Sequence, residues 1–415
     1  MTKAFQMAVH FIVLFLLFFG FNFYGINTRY VATALLVLLL VMTPGSFNKF
    51  IRVFKSVGNK KILGSMVLYT IITTLITYIH QESDLNLAIG VSRLIVFYVD
   101  CLMLWCLLPK EHTDASIKLL IGIFIAQSLI IIAAFLSPNI LNIVRQFQYE
   151  DIMAITDRYL DYGTFRGLAL SGEQFHGLTV SFGFVSLFTM KEYLDTRDAK
   201  WVLVFLLLFA ANMYVGRIGF IGFILAVVYL LWSGHISLKL VVKIIVVSCL
   251  IGITLYSIMP ANIKSTIDDS VFRYAFQLFY NYQETGRWET SSTDRVAEMW
   301  QEDFSISTFV LGDGLFANSD GTYYRHVDVG YLRHLFYGGF FFVIYSIFIV
   351  WRMLIGYTRR FSFKKYRFEL IILLFLLIVH TKGLDFMSAV EPMLIVFIYF
   401  IHKYIAPSKF LVKNA

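Results

Sequence analysis

Charge is absent from this chain over long stretches and returns in short bursts, and that alternation limits what the chain can fold into. Twelve apolar segments stand near 5–24, 29–44, 62–80, 86–108, 116–136, 174–190, 200–215, 217–233, 239–259, 329–355, 368–381 and 389–405. Most approach the roughly 20 residues that a helix needs to cross a bilayer. With 58% hydrophobic and only 15% charged residues in 415, too few polar side chains remain to cover a soluble domain of this length. No polar stretch is long enough to be a separate globular domain. The expectation is an all-α, polytopic integral membrane protein, one membrane domain over 1–415 with about 12 transmembrane helices.

Orientation follows from where lysine and arginine fall, because basic connections stay on the cytoplasmic side. Residues 45–61 carry Lys49, Arg52, Lys55, Lys60 and Lys61 with no acid, and 356–367 carry Arg359, Arg360, Lys364, Lys365 and Arg367. The tail adds Lys403, Lys409 and Lys413. Twelve spans place these clusters and both termini inside, and leave two large loops, 137–173 and 260–328, on the outer side. The second loop holds eleven acids against five bases, so the net charge of +8 reflects topology and does not mark a nucleic-acid binder. Only Lys3 precedes the first segment and no small-residue cleavage site closes it, which predicts a retained helix.

Several chemistries have no handle here. Cys101, Cys106 and Cys249 all lie inside apolar segments without disulfide or zinc spacing, and read as packing residues. The chain has no Walker A motif, no H-E-x-x-H, no G-x-G-x-x-G and no D-x-D, so neither a cofactor nor a metal is expected. A twelve-helix transporter usually shows two related halves. No such repeat is visible.

The polar residues that need explaining sit in the two loops and the helix ends beside them. The first loop closes on "YLDYGTFRGLALSGEQFHG", delivering Arg166, Glu173 and His176 to the mouth of the sixth segment. "NMYVGRIGFIG" joins the seventh and eighth segments by a tight turn that holds Arg217 at the interface. An arginine with a helix N-terminus behind it makes an anion site; the plainer reading is a snorkelling interfacial residue. The second loop opens with a helix that Ser291 or Ser292 would cap, with Val296, Met299 and Trp300 on one face and Arg295 on another. It closes on "YYRHVDVGYLRHLFYGG", where Arg325, His326, Asp328, Tyr331, Arg333 and His334 fall within ten residues. Within the membrane, Arg93 and Asp100 stand seven apart on one helix, nearly on one face, where structural pairing or a carrier-lipid groove would account for them.

The order of these motifs, Arg217 in a G-R-x-G turn, S-x-x-D-R with Trp300, "LGDGLF", then "DVGYLRHLFYGG", resembles the Wzy-type repeat-unit polymerases and the related O-antigen ligases. The resemblance covers roughly 160–345 by motif and the whole chain by topology. Arg166 to Gly177 also fits the R-x10-G pattern of the polymerases, whereas the second loop contains no such pattern. Ligases carry H-N-x-Y-L where this chain has Asp328-Val329-Gly330-Tyr331-Leu332. Asp328 in place of that histidine favours the polymerases.

That resemblance implies a GT-C-like membrane glycosyltransferase in the cell inner (cytoplasmic) membrane. It would join oligosaccharide repeat units carried on undecaprenyl diphosphate into O-antigen, part of lipopolysaccharide, or another surface polysaccharide. A chain-length regulator and a flippase are the implied partners besides the lipid carrier and the bilayer; no nucleic acid is. An acceptor hydroxyl attacks the anomeric carbon and the diphosphate leaves. Without metal, the leaving group needs arginines, for which Arg166, Arg217 and Arg295 are the candidates. The hydroxyl needs a proton acceptor: Asp328 leads, followed by His326 and Glu173. Arg325, Tyr331, Arg333, Trp300 and Tyr324 are the candidate substrate-binding residues, with an interfacial aromatic belt as the plainer role of the rings. An O-antigen ligase and a flippase or other polysaccharide transporter remain the alternative functions.

Overall fold

The computed structural model describes residues 3–108, 115–161, 166–234, 261–356, 361–383 and 386–405, with isolated positions between 239 and 258. Helices dominate. In chain order they are α1 (Lys3–Phe19), α2 (Thr28–Met42), α3 (Ser46–Phe54), α4 (Val57–Ile79), α5 (Asn86–Leu107), α6 (Ala115–Leu136), α7 (Pro138–Arg145), α8 (Glu150–Asp161), α9 (His176–Thr196), α10 (Lys200–Asn212) and α11 (Phe220–Trp232). After them come α12 (Ala261–Thr266), α13 (Gln277–Thr285), α14 (Ser291–Met299), α15 (Ile306–Leu311), α16 (Gly330–Ile355), α17 (Arg367–Val379) and α18 (Val390–Phe400). Among the described residues the strands are a two-residue antiparallel pair, β1 (Asn22–Phe23) and β2 (Ile26–Asn27).

Eleven of the twelve apolar segments coincide with these helices; most of 239–259, with Cys249, and the tail lysines 409 and 413 lie outside the described residues. Among the described residues, four helices are long and apolar enough to cross a membrane: Val57–Ile79, Asn86–Leu107, Ser116–Leu136 and Gly330–Ile355. A fifth is added if α2 and α3, bent by 113°, count as one span. Phe5–Phe19, Lys200–Asn212 and Phe220–Trp232 are apolar but shorter.

Three expectations change. The first helix stops at Phe19, short of 24, because Gly20 takes φ +52° and the Tyr24–Gly25 turn folds the chain into the hairpin. The segment read as one helix over 329–355 is broken at Gly339, where φ is +75°. Finally, α14 already includes Ser291 and Ser292, so neither caps it; Ser292 Oγ accepts a 2.8 Å hydrogen bond from Lys382 Nζ.

The chain divides into two compact units. The first comprises Met1–Phe18, Tyr30–Leu119 and Ser292–Ala415; the second comprises Phe19–Arg29 and Leu120–Ser291. In the second unit α9 is the central element, buried from Gly177 to Met190 and packed against α10 and α11. A Cβ at Gly222 would collide with the Gly183 backbone, so these glycines let two helices approach closely. In the first unit α4, α5, α16 and α18 pack together around an apolar core. Ser56 caps α4, Asn59 Nδ2 donates to Val53 O at 2.6 Å, and Tyr98 of α5 donates to Asn59 Oδ1 at 2.5 Å. Cys101 and Cys106 are buried and free.

Arg93 and Asp100 do not meet as a pair. Asp100 is fully buried and accepts from Thr33 Oγ1 of α2 at 2.7 Å, whereas Arg93 is exposed and has no ion pair among the described residues.

Candidate functional site

In the second unit, the turn between α10 and α11 is built around one hydroxyl. Thr179 Oγ1 lies 2.8 Å from both Asn212 Oδ1 and Gly216 O, and accepts from Gly219 N at 3.1 Å. A Cβ at Gly219 would strike Thr179 O, so the G-R-x-G spacing is what lets the turn sit against α9. Arg217 lies just before α11, its carbonyl accepting from Phe220 N at 3.0 Å. Its half-buried guanidinium donates to Gln277 Oε1 at 2.7 Å and sits 4.8 Å from the Tyr274 ring centre. Among the described residues it makes no ion pair.

Arg166 reaches the same place from 51 residues earlier. Its Nε and Nη2 donate to Val215 O at 3.2 and 3.0 Å, which ties it to the turn that carries Arg217. Its guanidinium lies 5.2 Å from the Tyr274 ring and 4.9 Å from Phe175. Two cations therefore lie against one tyrosine ring. Glu173 is half-exposed and 3.8 Å from Arg29, an ion pair within this unit.

In the first unit the site is organised by the break in α16. Turning out at Gly339 frees the last carbonyls of the first half, which would otherwise lack partners. Asp313 N donates to Phe336 O at 2.5 Å and Gly314 N to Tyr337 O at 3.1 Å. The "LGDGLF" loop thus caps the broken helix. Gly312, Gly314 and Gly339 all take positive φ, and a Cβ at Gly312 or Gly339 would strike the backbone of the other partner. Both motifs have a structural explanation in this mutual fit.

Asp313 then gathers the second half of the loop. It accepts from Thr308 Oγ1 (2.7 Å), Tyr324 OH (3.2 Å) and Arg325 Nη2 (3.0 Å), while Glu302 stands 3.9 Å from Arg325. Partial burial works against the Arg325 charge, but Tyr324, Asp313 and Glu302 outweigh it and hold its pKa above the ordinary arginine value. Arg325 and His326 both adopt φ near +55°. Left-handed backbone at two successive non-glycine residues costs energy, and such strain gathers at functional sites. It leaves His326 exposed.

Asp328 is exposed just ahead of α16, its backbone N–H 3.3 Å from Met299 Sδ. Val296 and Met299 pack on the cluster of Val327, Val329, Leu332, Leu335 and Phe336, as their helical spacing required. Trp300, 46% exposed, tilts over Tyr331 at 6.3 Å, and Tyr331 OH donates to Leu377 O at 2.9 Å. Arg295 is exposed, and its side chain makes no hydrogen bond or ion pair among the described residues. These residues share one surface with Lys382, whose bond to Ser292 ties the turn after α17 to α14.

Two of the six polar residues that close the second loop are buried in the core. Arg333 is buried between the rings of Phe316 and Tyr323, each 4.0 Å away, and donates to Phe316 O at 3.4 Å. His334 is fully buried against His380 (5.2 Å) and Phe342 (5.5 Å), so it does not join Asp328 and Tyr331 at the surface. Every residue from Leu332 to Tyr337 is buried, so this stretch of α16 has no outward face on which either could reach the surface. Sequence reasoning missed Asp84, Asp313 and Lys382. Only Asp313 left a signal, between two glycines in a turn motif.

Among the described residues no group of three or more His, Cys, Asp or Glu is placed to hold a metal. No protein-family model matches the chain, and neither a curated protein nor a solved structure matches it.

Proposed function

We propose that this protein is a polytopic membrane glycosyltransferase of the O-antigen polymerase kind, which joins lipid-diphosphate-linked oligosaccharide repeat units into a surface polysaccharide. The observation that carries the reading is the convergence of Arg166 and Arg217 on Tyr274, with no carboxylate paired to Arg217 among the described residues. A planar guanidinium offers a forked pair of donors that matches a phosphate.

In this reading the acceptor hydroxyl oxygen forms the new bond to the anomeric carbon, the bond from that carbon to the diphosphate breaks, and its electron pair leaves with the diphosphate. Arg217, aided by Arg166, stabilises that charge, and Arg295 is a further cation for it. The hydroxyl's proton passes to Asp328, with His326 and Glu173 as the other acceptors. Trp300, Tyr331 and Tyr324 supply ring faces for sugars. The finer topology belongs to the same proposal: twelve spans of GT-C-like character in the cell inner membrane, both termini cytoplasmic, and 137–173 and 260–328 outside.

Arg217→Ala tests the arginine reading most cleanly, since Arg166 also holds the turn and its loss would confuse folding with function. Removing one preorganised donor from a developing anion lowers turnover about 10²–10³-fold. Polymer should vanish in cells that hold the variant at normal level, and Arg217→Lys should rescue little. Full-length polymer from Arg217→Ala would sink the clamp.

A further inference from the structure

We infer that one end of the first unit is a docking surface for anionic phospholipid headgroups. The observation is that segments about 300 residues apart bring cations and aromatic rings together there, with no acid among them. The first is α3, an amphipathic helix that leaves α2 at 113° after Gly45 takes φ +78°. Ser46 and Val53 are buried, the rings of Phe50 and Phe54 lie 5.6 Å apart and tilted to each other, and Phe47 is exposed. Lys49 is committed inward, donating to Cys106 O at 2.9 Å and Leu108 O at 3.3 Å over the Trp105 ring. That contact seats α3 on the C-terminal end of α5.

The second segment is 361–367, between α16 and α17. Its neighbour at the end of α16 is fixed by Tyr404, whose OH donates to Leu354 O at 2.7 Å. The first segment meets the same stretch, for a Cβ at Gly58 would lie 3.3 Å from Ile405. Residues 401–405 thus hold the N-terminus of α4 and the C-terminus of α16 at one end. Arg52, Lys55, Lys60, Lys61, Lys364 and Lys365 are all exposed there, beside exposed Phe47, Val57, Phe361 and Phe363. Neither 45–61 nor 361–367 contains an acid, and nearby Glu369 is buried in contact with Lys403 and Tyr399.

Exposed cations interleaved with exposed aromatic and aliphatic groups match a bilayer interface, where rings enter the headgroup layer and cations meet phosphate. Each cation near an anionic surface contributes about a fivefold preference, weakened by salt. The surface lies at the opposite ends of α4 and α16 from Asp84 and Asp328, so it is separate from the candidate site.

The test is native mass spectrometry of the full chain released from detergent micelles doped with equal palmitoyl-oleoyl phosphatidylglycerol and phosphatidylcholine. The protein should retain phosphatidylglycerol at least tenfold over phosphatidylcholine, and raised sodium chloride in the incubation should erode that preference. Changing Arg52, Lys55, Lys60, Lys61, Lys364 and Lys365 together to Gln should bring it near parity, whereas Lys→Arg at the five lysines should keep it. Equal retention by the unaltered chain, a salt-insensitive preference, or an unchanged preference in the Gln variant would each overturn the proposal. So would stronger displacement by inorganic phosphate than by chloride at equal ionic strength.

Discussion

Asp84 shows how a single side chain can set a loop that the candidate site depends on. Its Oδ2 accepts from Phe316 N and Ala317 N at 2.6 Å each, and Oδ1 accepts from Asn86 N at 3.0 Å. Phe316 in turn covers Arg333, so this carboxylate anchors the strand of loop that leads to Arg325 and His326. Hydrogen bonds to a charged acceptor contribute about 1.5 kcal/mol or more each. Asp84→Asn should therefore speed amide exchange at Phe316 and Ala317 about tenfold, read by hydrogen–deuterium exchange, with little change in α9. Unaltered protection at both amides would remove Asp84 from this role. Nothing in "HQESDLN" announced its hold on the loop, because the two loop amides it accepts from are about 230 residues away. Arg217 was legible for the opposite reason: two glycines beside it in an apolar run leave little but a tight turn. Its meeting with Arg166 and Tyr274 was not legible, since three separate segments supply it.

At the scale of elements, apolar runs marked most helices because a continuous apolar stretch has few other ways to satisfy its backbone in lipid. What the runs hide is where a helix changes direction inside one. Gly338-Gly339 lies within "LFYGGFFFVIY", and only the packing of α15 and the Asp313 loop explains why the helix turns out there. Arg333 and His334 were misplaced by the same limit: being close to Asp328 in sequence says nothing about depth once the helix is seated. The small hairpin after α1 was missed because "GFNFYGIN" is apolar enough to extend a span on composition alone. By contrast, Val296 and Met299 were legible as one face of α14, since helical spacing is local.

For the whole molecule, the orientation of the spans is the first thing to establish. Basic residues in 45–61 and 356–367 predict that side to be cytoplasmic, and the acidic 260–328 loop to be outside. In a chain with Cys101, Cys106 and Cys249 replaced by alanine, a cysteine at exposed Ser319 should react with an impermeant maleimide from outside the cytoplasmic membrane. One at exposed Asn48 should react only after permeabilisation. The reverse pattern would refute the topology.

The activity itself is tested most directly with purified protein in liposomes given only a lipid-diphosphate-linked repeat unit. The donor already carries an activated anomeric carbon, so a ladder of lipid-linked oligomers should form without nucleotide sugar, ATP or added divalent metal. Asp328→Asn keeps the side-chain shape but removes the proton acceptor, so the ladder should weaken by at least about 10²-fold while substrate still binds. An undiminished ladder from Asp328→Asn would pass the base to His326 or Glu173, and a strict requirement for a divalent metal would contradict the arginine mechanism. No ladder from the unaltered chain, with the repeat unit crossing the bilayer instead, would contradict the polymerase reading and make the protein a transporter.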